Sequence, residues 1–149
     1  MITYELHAVH EVLEYLQGQE EKHFADIKDK TLYPEINMNW ELYKDLSELD
    51  LCKAILMKDD DKIIGYSCYT LTGDLNNKKG IIACATAIFI EREYRGRLII
   101  DFIKQCDTIL LGINVSKVLH NNSDIRIGRI LEKAGYNPRS ISYIKTLTE

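Results

Sequence analysis

The sequence has little of what usually divides a chain into domains. Its 149 residues include 2 prolines and 8 glycines, and no internal repeat, low-complexity tract or proline-rich linker interrupts it. Chains of roughly 100–150 residues most often fold around one core. The hydrophobic fraction of 46% is ample for such a core. We therefore predict a single domain over residues 1–149.

The sequence also lacks long hydrophobic runs and an excess of positive charge. The longest apolar run, residues 81–90, is well short of the ~20 residues that a membrane-spanning helix needs. The first six residues do not have the basic-then-apolar order of a signal peptide. A net charge of −4 does not suit nucleic-acid binding, which needs a basic surface. We expect a soluble, cytoplasmic protein with neither a membrane nor a nucleic acid as partner.

Paired cysteines are absent as well. The four cysteines stand singly, without the short spacing of a zinc site or a redox motif: Cys52, Cys68, Cys84 and Cys106. Each lies in an apolar run, where a reduced cysteine behaves as a small buried hydrophobe. This pattern indicates a reducing compartment.

One group of residues near the N-terminus has the spacing of metal ligands. On a helix, its four members would share one face: His7, His10, Glu11 and Glu14. No further cluster in the sequence would complete a ligand set, so a solvated helix face is the better interpretation. We predict no bound metal.

The spacing of apolar residues predicts the order of helices and strands. The N-terminal part is predicted to contain helices over residues 8–24 (disturbed at Gly18) and 40–49. Strands over 51–57 and 62–71, a polar loop over 73–79 and a strand over 81–90 follow. The C-terminal part is predicted to contain a helix over 99–112, a strand over 115–119, a helix capped by Ser123 or Asp124 and ended by Gly135, and a strand over 141–147. This order predicts an α+β fold, a mixed sheet with helices on both faces. The strands over 81–90 and 115–119 should be parallel neighbours, because one helix connects them in a right-handed crossover.

A basic turn lies between the long strand and the long helix. Residues 91–98 read EREYRGRL. A strand that enters a helix through such a turn directs several backbone N–H groups to one point, and the helix dipole adds positive potential there. Arg95 and Arg97 add charge. The turn therefore suits an anion such as a diphosphate, with Arg92 as an undecided further contributor.

The residues in and around this turn resemble a known family. The stretch AIFIEREYRGR at residues 87–97 resembles the first signature of the GNAT acetyltransferases, in which an apolar strand enters a turn of the form PEYRGRG. The stretch GRILEKAGY at residues 128–136 resembles the second signature, LYEKxGF. The predicted order of elements is also that of the family. The N-terminal half is similar, more faintly, to small GNAT proteins of tailed bacteriophages.

The resemblance implies acetyl-CoA as acyl donor, in a V-shaped gap between the splayed parallel strands. Backbone groups of Ile88, Phe89 and Ile90 would pair with the pantetheine arm. Six successive amides would hold the pyrophosphate, those of Arg95, Gly96, Arg97, Leu98, Ile99 and Ile100. Asp124 and Ile127 match positions that touch the arm and its thiol end. The acceptor would be a primary amine, on a small molecule, a protein lysine or a protein N-terminus, and a homodimer is a further expectation.

The sequence departs from the family pattern at positions that matter for catalysis. Leu98 and Ile100 stand where the family has small residues, which let backbone approach phosphate closely. Leu131 replaces a tyrosine that often acts as general acid, and Thr86 stands where relatives often have an acidic residue. These departures predict slow turnover, with deprotonation through a histidine or water.

Two residues are candidates for proton transfer. His120 could act as base, since its unperturbed pKa of ~6.5 suits that role, or it could make hydrogen bonds at a strand end. Tyr136 could donate a proton or serve as packing. Tyr33, Trp40 and Tyr43 could line an acceptor pocket or belong to the core.

The sequence thus predicts an acetyl-CoA-dependent N-acetyltransferase that acts on a primary amine. The alternative is a catalytically degenerate GNAT-fold protein that binds a partner, or a virion-associated protein.

Overall fold

The fold is a mixed sheet with helices on both faces. The computed structural model describes residues 1–26, 35, 37–121, 125–139, 143 and 145–147. Its elements are β1 (Ile2–Ala8), α1 (Leu13–Gly18), α2 (Glu20–Asp26), α3 (Trp40–Glu48), β2 (Cys52–Asp59), β3 (Lys62–Asp74), β4 (Asn77–Ile90), α4 (Ile99–Gly112), β5 (Lys117–His120) and α5 (Ile125–Lys133). Short 3₁₀ helices cover Val9–Glu11 and Arg92–Tyr94. The α+β class predicted from the order of elements is confirmed.

The sheet has five strands in the order β1-β2-β3-β4-β5. The pairs β1–β2, β2–β3 and β3–β4 are antiparallel, and β4 pairs with β5 in parallel. The predicted parallel pair is therefore confirmed, with α4 as its crossover. The predicted polar loop over residues 73–79 is wrong, because the β3–β4 ladder continues through Gly73 and Ile81 and leaves only a tight turn after Asp74.

The N-terminal segment differs from its prediction. It begins with β1, where the alternation of Ile2, Tyr4 and Leu6 turns these side chains toward the core beside Met57. The helix predicted over residues 8–24 is divided into a 3₁₀ turn, α1 and α2, and the break after Gly18 lies where the sequence predicted a disturbance.

This segment also separates the four residues with metal-ligand spacing. His7 lies in β1 with Nε2 3.0 Å from Glu5 Oε2, whereas His10 lies in the 3₁₀ turn with Nδ1 2.8 Å from Ser47 Oγ. Glu11 ends that turn and Glu14 lies in α1. They do not share one helix face. Within the described part of the chain, no group of three or more candidate ligands is close enough to hold a metal ion.

The sheet separates two cores. On one face, α4 packs Phe102, Cys106 and Leu110 against Tyr69 of β3 and Ile90 of β4. On the other face, the N-terminal helices cover Tyr66, Cys68 and Phe89. All four cysteines are free, and burial raises the pKa of Cys52 to about 11 and that of Cys106 to about 12, so these two thiols stay protonated.

The end of the chain fits the predictions only in part. Gly135 ends α5 with a φ of 100°, as predicted for a glycine after a helix. The described residues of the predicted last strand, Tyr143 and 145–147, are not in a strand. The rest of that segment, Tyr33, Pro34 and the two capping candidates lie outside the described residues. No helix among the residues described is long and apolar enough to cross a membrane.

Candidate active site at the open edge of β4

A β-bulge marks the point where β4 leaves its parallel neighbour. Tyr69 lies opposite Ala85 and Cys68 opposite Ala87, so Thr86 is an extra residue on β4. Its hydroxyl donates to the Cys68 carbonyl at 3.3 Å. Among the described residues, the last parallel pair is Ala85 with His120, while β4 continues to Ile90. We call the side of β4 beyond this last pair its open edge. Because a bulge increases local twist, the end of β4 turns away at the position where β5 stops.

The β3–β4 ladder decides which peptide groups face the open edge. The Glu91 amide donates to the Ile64 carbonyl at 2.8 Å, and the Ser67 hydroxyl donates to the Ala87 carbonyl at 3.1 Å. Peptide groups alternate in direction along an antiparallel strand. The peptide groups of residues 87, 89 and 91 therefore face β3, and those of Ile88 and Ile90 face the open edge.

Phe89 thus differs from its sequence prediction. A Cβ built on Gly65 of β3 would lie 2.8 Å from the Phe89 carbonyl oxygen, which places that oxygen on the β3 side. Of the three residues that the resemblance assigned to the pantetheine arm, only Ile88 and Ile90 have peptide groups on the gap side.

The turn after β4 uses some of its own amides. The Arg95 amide donates to the Arg92 carbonyl at 3.3 Å, and the Arg97 amide donates to the Arg95 carbonyl at 3.1 Å. Gly96 has a φ of 82°, a left-handed conformation that favours glycine. The first amides of a helix have no intrahelical acceptor, and in α4 these include Leu98, Ile99 and Ile100. The candidate anion site is therefore narrower than the predicted run from Arg95 to Ile100.

The bulky residues of this turn do not all crowd the amides. Leu98 and Ile99 pack against the core on the α4 face. Leu98, at a position where the family has a small residue, therefore contributes apolar contacts to the core at the start of α4. Ile100 is half-buried.

Arg95 has a structural role in addition to its charge. Its Nε donates to the Ile90 carbonyl at 2.6 Å, and both terminal nitrogens of its guanidinium donate to the Asp26 carboxylate of α2. The guanidinium also lies 5.5 Å from the centre of the Phe89 ring. Arg95 therefore ties α2 to the end of β4. Arg97 is exposed, and Arg92 lies 3.8 Å from the Asp26 carboxylate.

His120 and Tyr136 meet on the α4 face of the sheet. Their ring centres are 4.9 Å apart and edge-on, and His120 is also edge-on to Tyr69 at 6.4 Å. His120 Nε2 is buried without a hydrogen-bond partner among the described residues. Burial lowers the pKa of His120 to about 4. The histidine is therefore neutral at neutral pH, but it is a weak base.

Tyr136 has a partner that the sequence did not single out. Its hydroxyl donates to the Asp107 carboxylate of α4, and burial together with that carboxylate raises the pKa of Tyr136. Burial raises the pKa of Asp107 as well. Asp107 follows Cys106 on a mostly apolar helix, and a carboxylate at such a position is the sequence feature that could have identified it. These two residues line a shallow hollow of about 220 Å³ with Val118, Ala134 and Gly135.

The remaining candidates lie on α5 and among the N-terminal helices. Leu131 is 6% exposed and belongs to packing, whereas Ile127 is 36% exposed. Asp124 lies outside the described residues. Trp40 and Tyr43 are 5.5 Å apart between ring centres and pack against the core under the N-terminal helices, and Trp40 Nε1 also donates to Glu20 at 3.3 Å.

The sequence analysis did not identify a polar aromatic cluster on the face of the sheet that the N-terminal helices cover. His23 of α2 has Nδ1 2.7 Å from the Tyr66 hydroxyl, and its ring lies 5.8 Å from that of Phe89. The Tyr66 and Phe89 rings stack at 5.5 Å, and Tyr15 meets Tyr66 edge-on at 6.1 Å. The spacing of Leu16, Gln19 and His23 indicates that they face the same way, but it does not show which strand residues they contact.

Comparison with known proteins identifies the fold. No family model and no curated protein matches the sequence. Solved structures match over almost the whole chain. An aminoglycoside acetyltransferase from an uncultured soil metagenomic sample has 12% sequence identity and a TM-score of 0.73. The match covers 99% of the present chain and 97% of the acetyltransferase.

Two further structures extend the comparison. A predicted acetyltransferase with acetyl-CoA from Clostridium acetobutylicum has 15% identity, a TM-score of 0.74 and coverage of 99% and 97%. A ribosomal-protein-alanine N-acetyltransferase from Brucella melitensis has 14% identity, a TM-score of 0.70 and coverage of 99% and 100%. At such identities the likeness concerns the fold. The chain therefore has the fold of the GNAT acetyltransferases, as its two sequence signatures predicted.

Proposed function

We propose that this protein is an acetyl-CoA-dependent N-acetyltransferase that acylates a primary amine. The observation that carries the proposal is the open edge of β4, where the Ile88 peptide group and the Ile90 amide lie ahead of the turn that leads into α4. An extended amide-containing chain ending in a diphosphate fits such a surface, because the edge offers strand-like hydrogen bonds and the helix offers amides for an anion.

The two parts of the site would hold different parts of acetyl-CoA. The Ile88 peptide group and the Ile90 amide would pair with the pantetheine arm, since the Ile90 carbonyl already accepts from Arg95 Nε. The amides of Leu98, Ile99 and Ile100 would bind the diphosphate, with Arg97 supplying charge, because Arg95 is already held by Asp26 and Ile90. Gly96 would keep the turn in its left-handed conformation. From the family resemblance, Asp124 and Ile127 would contact the arm.

The acceptor would be a primary amine, and turnover would be slow. Proteins of this fold include acetyltransferases named for aminoglycosides, for glucosamine-6-phosphate and for a ribosomal-protein alanine, all of which supply an amino group. An alkylamine with a pKa of ~10.4 is almost wholly protonated at neutral pH and must lose a proton before it attacks. His120 is a weak base, and Tyr136 is a weak acid engaged with Asp107.

The second candidate function is a binding protein without turnover. The observation that favours it is the engagement of Arg95, since a loop arginine predicted to bind phosphate is occupied by the Asp26 carboxylate. Such a protein would keep the fold and the open edge without efficient chemistry.

Calorimetric titration with acetyl-CoA tests the proposed site. We expect Arg97→Ala to weaken binding, since a charge-assisted bond is worth about 1.5–3 kcal/mol, or about one to two decades in affinity. Lys79→Ala, an exposed lysine in the N-terminal part of β4, is the matched control and should bind as the wild type does. Equal affinity of both variants, or a wild type that does not bind at millimolar ligand, contradicts the site.

Release of thiol from acetyl-CoA separates the two candidate functions. The acceptor panel should contain polyamines, lysine peptides and aminoglycosides. The transferase predicts thiol release with at least one amine, in proportion to enzyme. Tight binding of acetyl-CoA with no release for any acceptor supports the binding protein instead.

A further inference from the structure

We propose that His23 of α2 is the base that takes a proton from the acceptor amine, and that Tyr66 of β3 positions it. This inference rests on the proposed transferase function and concerns the face of the sheet opposite to His120. It assigns a catalytic role to the polar aromatic cluster, in which neither His23 nor Tyr66 belongs to a sequence signature.

The position of His23 follows from the register of the sheet. Tyr66 and Phe89 lie directly opposite each other on β3 and β4, so their side chains share one face. The His23 ring lies 5.7 Å from the Tyr66 ring and 5.8 Å from the Phe89 ring. Phe89 lies between Ile88 and Ile90, whose peptide groups face the gap. The imidazole therefore packs against the side chain of the residue between the two peptide groups that are proposed to hold the thioester arm.

The hydrogen bond to Tyr66 orients the imidazole. His23 Nδ1 lies 2.7 Å from the Tyr66 hydroxyl oxygen. In the tautomer in which Nδ1–H donates to that oxygen, the lone pair of the ring is on Nε2 and can accept a proton. Burial raises the pKa of Tyr66, so this phenol stays neutral beside the histidine. Tyr66 is a positioning residue in this scheme.

The charges around His23 leave it in its basic form. Burial lowers the pKa of His23, and the guanidinium of Arg95 lowers it further, while the carboxylate of Asp26 raises it. Tyr66 faces the ring from β3, and Tyr15 of α1 contacts Tyr66. The imidazole is therefore neutral at neutral pH. His120, in comparison, lies on the other face with a pKa of about 4.

Two further polar atoms indicate a ligand at this cluster. Tyr15 Oη and Gln19 Oε1 are buried without a hydrogen-bond partner among the described residues. Gln19 is one helical turn before His23, whose amide donates to the Gln19 carbonyl at 2.9 Å. Buried polar groups normally have partners. An amine or hydroxyl group of an acceptor is a chemically suitable partner for both atoms.

The proposed step balances as follows. The ammonium of the acceptor gives one proton to His23 Nε2. The neutral amine nitrogen then forms a bond to the thioester carbonyl carbon, and the carbon–sulfur bond breaks with its electron pair leaving on sulfur. The thiolate takes the second proton of the amine. The products are the amide and the thiol, and the proton on His23 returns to solvent.

Thiol-release kinetics with two classes of amine test this role. An alkylamine needs a base at neutral pH, whereas hydroxylamine is already neutral there. We expect His23→Gln to lower kcat/KM for the alkylamine by about 10²–10³-fold and to change that for hydroxylamine by less than about tenfold. The rate with the alkylamine should then increase with pH toward the pKa of the amine itself. Tyr66→Phe, which keeps the ring, should lower kcat for the alkylamine in the same selective way.

His10→Gln is the matched control, because the His10 side chain is hydrogen-bonded to Ser47 of α3 and does not belong to the polar aromatic cluster. This variant should keep the wild-type kcat/KM for both amines. Equal losses for both amines in His23→Gln, or an unchanged pH profile in both His23→Gln and Tyr66→Phe, overturn the inference while the transferase function stands. A wild type that binds acetyl-CoA but releases no thiol with any amine overturns the function and the inference together.

Discussion

A single methyl group at Gly65 tests how the end of β4 is held. Gly65 of β3 lies opposite Ile90, and a Cβ built on it would be 2.8 Å from the Phe89 carbonyl oxygen, 3.1 Å from Met57 Cε and 3.2 Å from Ile90 Cγ1. The first of these atoms is backbone and cannot move aside without moving β4. We therefore expect Gly65→Ala to lower the free energy of unfolding by about 1–3 kcal/mol, as overpacking does.

The matched control lies on the same strand. A Cβ on Gly73 would have no heavy atom of the described residues within 4 Å. We expect Gly73→Ala to be neutral or to stabilise by about 0.4–1 kcal/mol, because alanine restricts the unfolded chain. Each kcal/mol corresponds to about 2–4 °C in Tm for a chain of this size, so urea unfolding and a thermal melt both resolve the difference.

The same substitution should affect the proposed site. Gly65→Ala displaces the Phe89 peptide, and the neighbouring peptide groups of Ile88 and Ile90 move with it. The affinity for acetyl-CoA should therefore fall in Gly65→Ala and stay unchanged in Gly73→Ala. Equal stability of the two variants would refute the close contact, and equal affinity would refute its connection to the binding edge.

Two further predictions concern stability. Burial lowers the pKa of His120 to about 4, so the unfolded chain binds more protons than the native chain between about pH 6.5 and 4. The free energy of unfolding should therefore fall by up to about 3 kcal/mol as the pH decreases across that interval. Urea unfolding of His120→Phe should lack this component, and the same pH dependence in wild type and variant would contradict the assignment. Gly135 has a φ of 100° at the end of α5, so Gly135→Ala should destabilise by about 1–2 kcal/mol, whereas Gly112→Ala, a helical glycine without a positive φ, should not.

The order of elements was predictable because it depends on local patterns. Apolar spacing located α3, α4 and the three strands that follow α3, and strand–helix–strand connections have a fixed handedness. β1 was missed because only six to seven residues alternate before the helical pattern begins at Val9. The β3–β4 hairpin was underestimated because cross-strand pairing, which extends the ladder through Gly73, is not visible in a linear pattern.

The site was predictable only at the level of segments. The two signatures located the strand end, the turn and α5. The direction of each peptide group depends on pairing with β3, so the difference between Phe89 and its neighbours could not be predicted from sequence. The partners of Arg95 and Tyr136 are Asp26 and Asp107, which are distant in sequence and meet only in the fold.

The central claim is that acetyl-CoA binds along the open edge of β4, and residue-resolved amide hydrogen exchange tests it directly. With saturating acetyl-CoA, the amides of Ile88 and Ile90 should become protected, because they gain hydrogen-bond partners. The amides of Ala87 and Phe89, which face β3, serve as internal controls and should change little. Protection confined to Ile88 and Ile90 within β4, together with protection of Leu98 to Ile100, is the predicted result. Binding without added protection at Ile88 and Ile90 would contradict the account.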